Sequence, residues 1–211
     1  MLRVIITDDH PVVLKGLKEI ISEGFDDVTI DVSSRGYELL SKISNNDYDI
    51  VLLDISLPDI NGLEVLKEIR KRKRKLHVLV LSMYPEENYA ARALKGGAQG
   101  YLTKASAPDE LILAVRKILS GKKYISSVLA EQMMLDFESD TEKPPHENLS
   151  DRELQVLSMI GTGKAVKEIA EELHLSANTV RTYRARILEK IGVRGTNELI
   201  HYAITHNLGE Q

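Results

Sequence analysis

Short runs of consecutive apolar residues alternate with amphipathic stretches through the first part of the chain. Strand-like runs fall at Leu2 to Thr7, Val28 to Val32, Ile50 to Asp54, Leu76 to Ser82 and Gly100 to Leu102. Helical spacing of apolar residues fills the gaps, near Pro11 to Glu23, Gly36 to Ser44, Gly62 to Arg72, Glu86 to Lys95 and Pro108 to Ser120. Uninterrupted apolar strands are buried on both faces, and parallel neighbours need a helical crossover. Five such repeats in about 120 residues predict an α/β domain with a doubly wound, five-stranded parallel sheet. Pro58 and Gly62 bracket a loop, Gly96-Gly97 close a helix, and Pro108 opens one.

Beyond residue 121 the pattern changes. Tyr124 to Phe137 reads as one further helix, with Val128, Leu129, Met133 and Met134 free to pack. The polar stretch Glu138 to Asn148 contains Pro144-Pro145, which cannot continue a helix and marks a linker. A second domain starts at Leu149. Ser150-Asp151-Arg152-Glu153 is a capping box, and Leu154, Leu157 and Ile160 then draw an apolar stripe, with Val156 and Met159 beside it. A short helix from Val166 to Leu173, a turn at His174 to Ala177 and a longer helix from Asn178 to Ile191 follow. Thr196 is expected to cap a fourth helix running to about His206. Helix, tight turn and basic helix in this order predict an all-α helix-turn-helix domain. The resulting division is 1–121, a linker at 122–148, and 149–211.

Charge sharpens this division. The net charge of −4 lies in residues 1–148, with 20 Lys/Arg against 24 Asp/Glu, while 149–211 hold eight of each. Within the neutral part, Ser176 to Gly192 carry Arg181, Arg184, Arg186 and Lys190 against Glu189, a local excess of +3 that suits nucleic acid. The absence of cysteine excludes disulfides and thiolate metal sites. No apolar run approaches the roughly 18 residues of a membrane span. No signal peptide is visible, so a cytoplasmic location without a membrane partner is expected.

The candidate chemistry sits at strand ends. The first strand leads into Asp8-Asp9 and the third ends at Asp54. Parallel strands deliver their C-terminal ends to one edge, where open α/β sheets bind ligands. Three carboxylates gathered there repel one another unless a cation joins them, and hard oxygen donors suit Mg2+. The pattern points to a carboxylate built to accept a phosphoryl group.

These residues, in this order, resemble a two-domain response regulator of the NarL/FixJ type, a receiver followed by a LuxR-type helix-turn-helix. The receiver marks are Asp8-Asp9, Asp54, Ser82 at the end of the fourth strand and Lys104 just past the fifth. The output marks are Leu149-Ser150-x-Arg152-Glu153, Lys167-Glu168-Ile169-Ala170 and Leu175-Ser176-x-x-Thr179-Val180. The resemblance implies phosphorylation of Asp54 by a sensor histidine kinase, with the receiver promoting only its own phosphoryl transfer and dephosphorylation. It implies Asp9, Asp54 and the Ser56 carbonyl as direct metal ligands, with Asp8 acting through water. Lys104 and Ser82 are implied to meet the phosphoryl oxygens, and Tyr101 to change position with the Ser82 loop. It implies homodimers on double-stranded DNA, with RNA polymerase a further partner to consider. On the recognition helix, Arg181, Thr182 and Ala185 lie away from the core stripe of Val180, Ile187 and Ile191 and are expected to meet base edges. Arg184, Arg186 and Lys190 are assigned to phosphates, with Asn178 and Thr179 near the helix start also on the DNA side. The chain departs from the family at Ala105, where proline is common, at Tyr183, where histidine is usual, and at Ala165-Val166.

Other readings compete. A phosphatase or phosphotransferase with an aspartyl intermediate commonly has a second acid two residues after its nucleophile, and here that position is Ser56. Constitutive DNA binding with a degenerate receiver sits poorly with the intact acidic set. A nucleotide-binding flavodoxin-like enzyme lacks a glycine-rich loop after the first strand. Arg70 to Lys75, six basic residues in a row, reads first as a solvated loop whose charge complements a helix C-terminus, with a nucleic-acid or membrane patch as the alternative.

Overall fold

The computed structural model describes residues 1–127, 129–131 and 144–209. Two compact units are present, Met1–Gln132 and Met133–Gln211. In the first, β1 (Leu2–Thr7), β2 (Val28–Ser33), β3 (Ile50–Asp54), β4 (His77–Ser82) and β5 (Gly100–Thr103) alternate with α1 (Pro11–Gly24), α2 (Gly36–Asn45), α3 (Gly62–Arg72), α4 (Glu86–Lys95) and α5 (Ala107–Leu119). The strands form one parallel sheet in the order β2-β1-β3-β4-β5. Alternation decides which side chains face which layer. Val4, Ile6, Ile50, Leu52, Leu79, Leu81 and Leu102 pack with Leu17 and Ile21 of α1 and Leu111, Val115 and Ile118 of α5. Ile5, Val51, Leu53, Val78 and Val80 are equally buried and belong to the opposite face. This two-sided burial is why β3 reads as an unbroken apolar run.

The order of strands reverses between β1 and β3, whose ends lie side by side with Thr7 opposite Leu53. That switch point is where an open α/β sheet forms its crevice. The loop after β3 is tied down closely. Asp59 accepts hydrogen bonds from the Gly36 and Tyr37 amides at the start of α2, at 2.8 and 2.9 Å. Asn61 caps α3 by accepting from the Leu63 amide. Gly62 packs so close beneath the site that a Cβ there would stand 2.1 Å from the Asp54 carbonyl oxygen.

The basic run departs from its expected character at its first member. Arg70 turns inward: Nε donates to the Gly97 carbonyl at 2.9 Å, Nη1 to that of Leu76 at 2.6 Å, and Nη2 to Gln99 Oε1 at 3.1 Å. One guanidinium thereby ties together the carbonyls of Leu76 and Gly97 and the Gln99 side chain. Arg72, Arg74 and Lys75 are exposed as expected. The start of the stretch read as linker also lies on this unit. The Tyr124 amide donates to the Gln99 carbonyl, its hydroxyl pairs with Glu110, Ser126 pairs with Glu86, and Leu129 is buried. Of the helix expected over Tyr124 to Phe137, residues 127 and 129–131 are helical, while residue 128 and residues 132–143 lie outside the described residues.

In the second unit a 3-10 turn (Pro145–Asn148) precedes α6 (Asp151–Gly161), α7 (Val166–Glu172), α8 (Ala177–Ile191) and α9 (Thr196–Thr205). Ser150 and Glu153 form the expected capping box. Thr196 is the first residue of α9 rather than its cap; Gly195 takes the cap position, and the Glu198 carboxylate accepts from the Arg194 amide instead. Leu154, Leu157, Ile169, Val180, Ile187, Leu199 and Ala203 are buried. Gly192, at φ 80°, ends α8 in the left-handed conformation that glycine adopts without a Cβ clash.

Candidate functional site

Three strand ends converge on one acid–base cluster. Asp54 closes β3 and is 1% exposed; Asp8 follows β1 and is equally buried; Lys104 follows β5. Lys104 Nζ lies 2.8 Å from Asp54 Oδ2 and 2.6 Å from Asp8 Oδ2. The Ser56 amide also donates to the Asp54 carboxylate. Burial pushes the Asp54 carboxyl up to about 6, with Lys104 pulling it down and Asp8 pushing it up. Burial works against the Lys104 charge, but Asp54 and Asp8 outweigh it and hold the ammonium above its ordinary value. Both shifts are upward and have one physical origin: two buried acids share one cation, which favours the charged lysine while leaving the Asp54 carboxylate short of compensation.

Asp54 Oδ1 is buried and accepts no hydrogen bond among the described residues. Such an oxygen is costly unless an ion or reacting group meets it. Asp9 and His10 complete the cluster: donor atoms of Asp8, Asp9, His10 and Asp54 all lie within 4.8 Å of one another. A carboxylate-rich set with a bare buried oxygen can hold a divalent cation. His10 had no role in the sequence reading. Its amide donates to Asp8 Oδ1 at 2.9 Å, while Nδ1 sits 3.1 Å from that oxygen and 2.8 Å from Asp9 Oδ1. The available signal was its place directly after two acids at a strand's end.

Beside the cluster, Ser82 is fully buried at the end of β4. Its hydroxyl accepts from the Tyr84 amide at 3.1 Å and is hydrogen-bonded to the Tyr101 phenol. Tyr101 is buried on β5 and donates to the Tyr84 carbonyl at 2.8 Å. The Tyr84 ring stacks on Tyr89 of α4 with centroids 4.5 Å apart. Ser82, Tyr84 and Tyr101 thus form one buried network running from the acid cluster to α4. Sequence reasoning found its two ends and missed Tyr84, whose spacing carries no periodic signal.

On α8, the Ser176 hydroxyl accepts from the Thr179 amide at 3.0 Å and caps the helix. Asn178, Arg181, Thr182, Ala185 and Arg186 are exposed along one side, while Thr179 and Arg184 are partly covered. Arg181 Nη1 donates to Asn178 Oδ1 at 2.8 Å, a contact that holds the guanidinium near the helix start. Lys190 is different. Its ammonium lies 2.6 Å from Glu153 Oε2, so its charge is already engaged within the unit. Burial opposes ionisation of Glu153, but Lys190 and the Ser150 amide and hydroxyl outweigh it and hold the carboxyl below its ordinary value. No helix among the described residues is long and apolar enough to cross a membrane.

Residues 4–116 match the response regulator receiver domain family, and residues 147–203 match the bacterial regulatory proteins of the luxR family. The chain is 37% identical over 209 residues to response regulator UvrY of Escherichia coli strain K12, covering 99% of this chain and 96% of that protein. Response regulator GacA of Pseudomonas aeruginosa is 31% identical over 209 residues, covering 99% and 98%. Among solved structures, RcsB from Salmonella enterica serovar Typhimurium, bound to a promoter in the presence of phosphomimetic BeF3−, aligns with a TM-score of 0.60 at 26% identity. That alignment covers 95% of this chain and 97% of RcsB. A LuxR-family two-component response regulator from Aurantimonas aligns at 0.61 and 28% identity, covering 65% of this chain and 98% of the other.

Proposed function

This chain belongs to the family of response regulators that join a receiver to a LuxR-type helix-turn-helix, and on that premise we propose that it is a DNA-binding transcriptional regulator switched by phosphorylation of Asp54. The observation that carries the reading is the bare, buried Asp54 Oδ1 beside a lysine held by two acids. A carboxylate oxygen of Asp54 attacks the phosphorus of the kinase's phosphohistidine in line, and the phosphorus–nitrogen bond to the kinase breaks. Lys104, already positioned, takes up the charge of the transferring oxygens. Asp9, Asp54 and the Ser56 carbonyl would hold Mg2+ directly, with Asp8 through water; when bound it supplies neutralisation of the phosphoryl charge.

The new anion carries about −1.5 to −2 charge at neutral pH. Ser82 turns its hydroxyl to a phosphoryl oxygen and leaves the Tyr101 phenol, so the Tyr84 strand of the network must readjust and carry the change to α4. Residues 1–121 act as the receiver and 149–211 as the DNA-binding module, with 122–148 joining them. Arg181, Thr182 and Ala185 meet base edges, and Asn178, Thr179, Arg184 and Arg186 meet phosphates or the helix-start contacts. Lys190 reaches a phosphate by exchanging its Glu153 partner. A homodimer places two recognition helices about one duplex turn apart on two-fold-related half-sites; RNA polymerase is the downstream partner of a factor so placed.

The test treats the full chain and Asp54→Ala with acetyl phosphate and Mg2+, then reads oligomeric state and genome-wide DNA capture. Tighter DNA binding or dimerisation in the wild type alone supports the reading. No change in either property overturns it.

A further inference from the structure

The receiver's acid cluster contains a nitrogen donor that an all-oxygen site lacks, and we propose that His10 is a metal-selecting residue. Resting on the metal-dependent reading of Asp54 above, the inference is that the imidazole Nδ1 joins the coordination sphere and tilts the site toward first-row transition ions such as Mn2+ and Co2+.

Geometry is the first support. In an octahedral site with metal–oxygen distances of 2.0–2.1 Å, adjacent donors stand about 2.9 Å apart. Nδ1 of His10 lies 2.8 Å from Oδ1 of Asp9, the separation expected between its donor and a neighbouring direct ligand. The ring is hydrogen-bonded to Asp8 Oδ1 at 3.1 Å, so Nδ1 already faces the cluster. The second support is the unpartnered Oδ1 of Asp54, which gives the same cluster a buried oxygen with lone pairs to spare. The third is access: the His10 side chain is 62% exposed, so it can adjust its ring without moving the sheet. Coordination through Nδ1 would require the neutral ring with its proton on Nε2.

Donor chemistry then sets the selectivity. Mg2+ gains little from exchanging a water for imidazole, whereas Mn2+ and Co2+ accept nitrogen readily and rank above it toward such ligands. The full chain and His10→Ala are titrated with Mg2+ and with Mn2+. The same samples are examined by pulsed electron paramagnetic resonance for coupling of bound Mn2+ to nitrogen-14. The expected result is nitrogen coupling in the wild type, its loss in His10→Ala, and about tenfold weaker Mn2+ binding there, with Mg2+ affinity changed less than about twofold. Binding of both ions without nitrogen coupling in the wild type overturns the His10 role and leaves the phosphoacceptor reading standing. Equal weakening of both ions in His10→Ala does the same. If neither ion binds the wild type, the metal-dependent reading falls with it.

Discussion

At the scale of single residues, the site is a balance of buried charges. Asp54 titrates near 6 because burial and Asp8 outweigh the help of Lys104. A carboxyl raised in the folded state favours folding while protonated, and that contribution is lost as pH rises from its unfolded value of 3.8 through about 6. Ionised Asp54 therefore costs stability at neutral pH, and Asp54→Asn removes the cost. Without divalent ions the variant should be more stable than wild type by up to about 3 kcal/mol above pH 7, with the gain vanishing below pH 4. Thermal melts across that range check this, and a gain independent of pH would contradict it. Asp54 was legible in the sequence because an apolar run ended on an acid. His10 was not, since a histidine after a strand carries no spacing signal and only the folded loop turns it to face the acids.

At the scale of elements, like residues in one stretch diverge by what the fold places beside them. Arg70 and Arg74 look interchangeable in sequence, yet Arg70 donates to the Gly97 and Leu76 carbonyls while Arg74 is exposed. Arg70→Met removes the guanidinium's donors to the buried Leu76 carbonyl and to Gln99 and should cost roughly 1–3 kcal/mol, whereas Arg74→Met should stay within about 0.5 kcal/mol. Urea unfolding of both variants, with comparable losses, would refute the distinction. Helix α8 divides by the same logic. Arg181, fixed by Asn178, faces outward near the helix start, and Arg186 is exposed further along. Arg181→Ala should relax discrimination between operator and random DNA. Arg186→Ala should weaken both equally and reduce the slope of log affinity against log salt by about 0.9. The helices themselves were readable from periodicity and caps, down to the Ser150–Glu153 box. The Lys190–Glu153 pair was not, because its members are 37 positions apart and meet only once α6 and α8 pack.

At the scale of the whole molecule, the two compact units should respond separately to changes made in either. Each carries its own buried core, and substitutions without shared partners combine additively. The acid cluster lies wholly in the first unit, and the Glu153–Lys190 pair wholly in the second. Glu153 is held below its ordinary value, so its contribution is present above the unfolded value of 4.5 and is lost as pH falls through the lower folded one. Asp54 has the opposite sign, its folded form being favoured on acidification. The two carboxyls therefore act in different pH windows and with opposite sign: the first unit gains as pH falls from about 6 to 3.8, whereas the second loses only below 4.5. In calorimetry of the full chain, a divalent ion or Asp54→Asn should raise one transition and leave the other in place. Lys190→Met should lower only the other and remove part of its acid sensitivity, because Glu153 loses the partner that favours its ionised form. A single transition displaced by all three changes would mean that the units unfold as one cooperative body, and the separation of switch from DNA-binding module would have to be sought in kinetics instead.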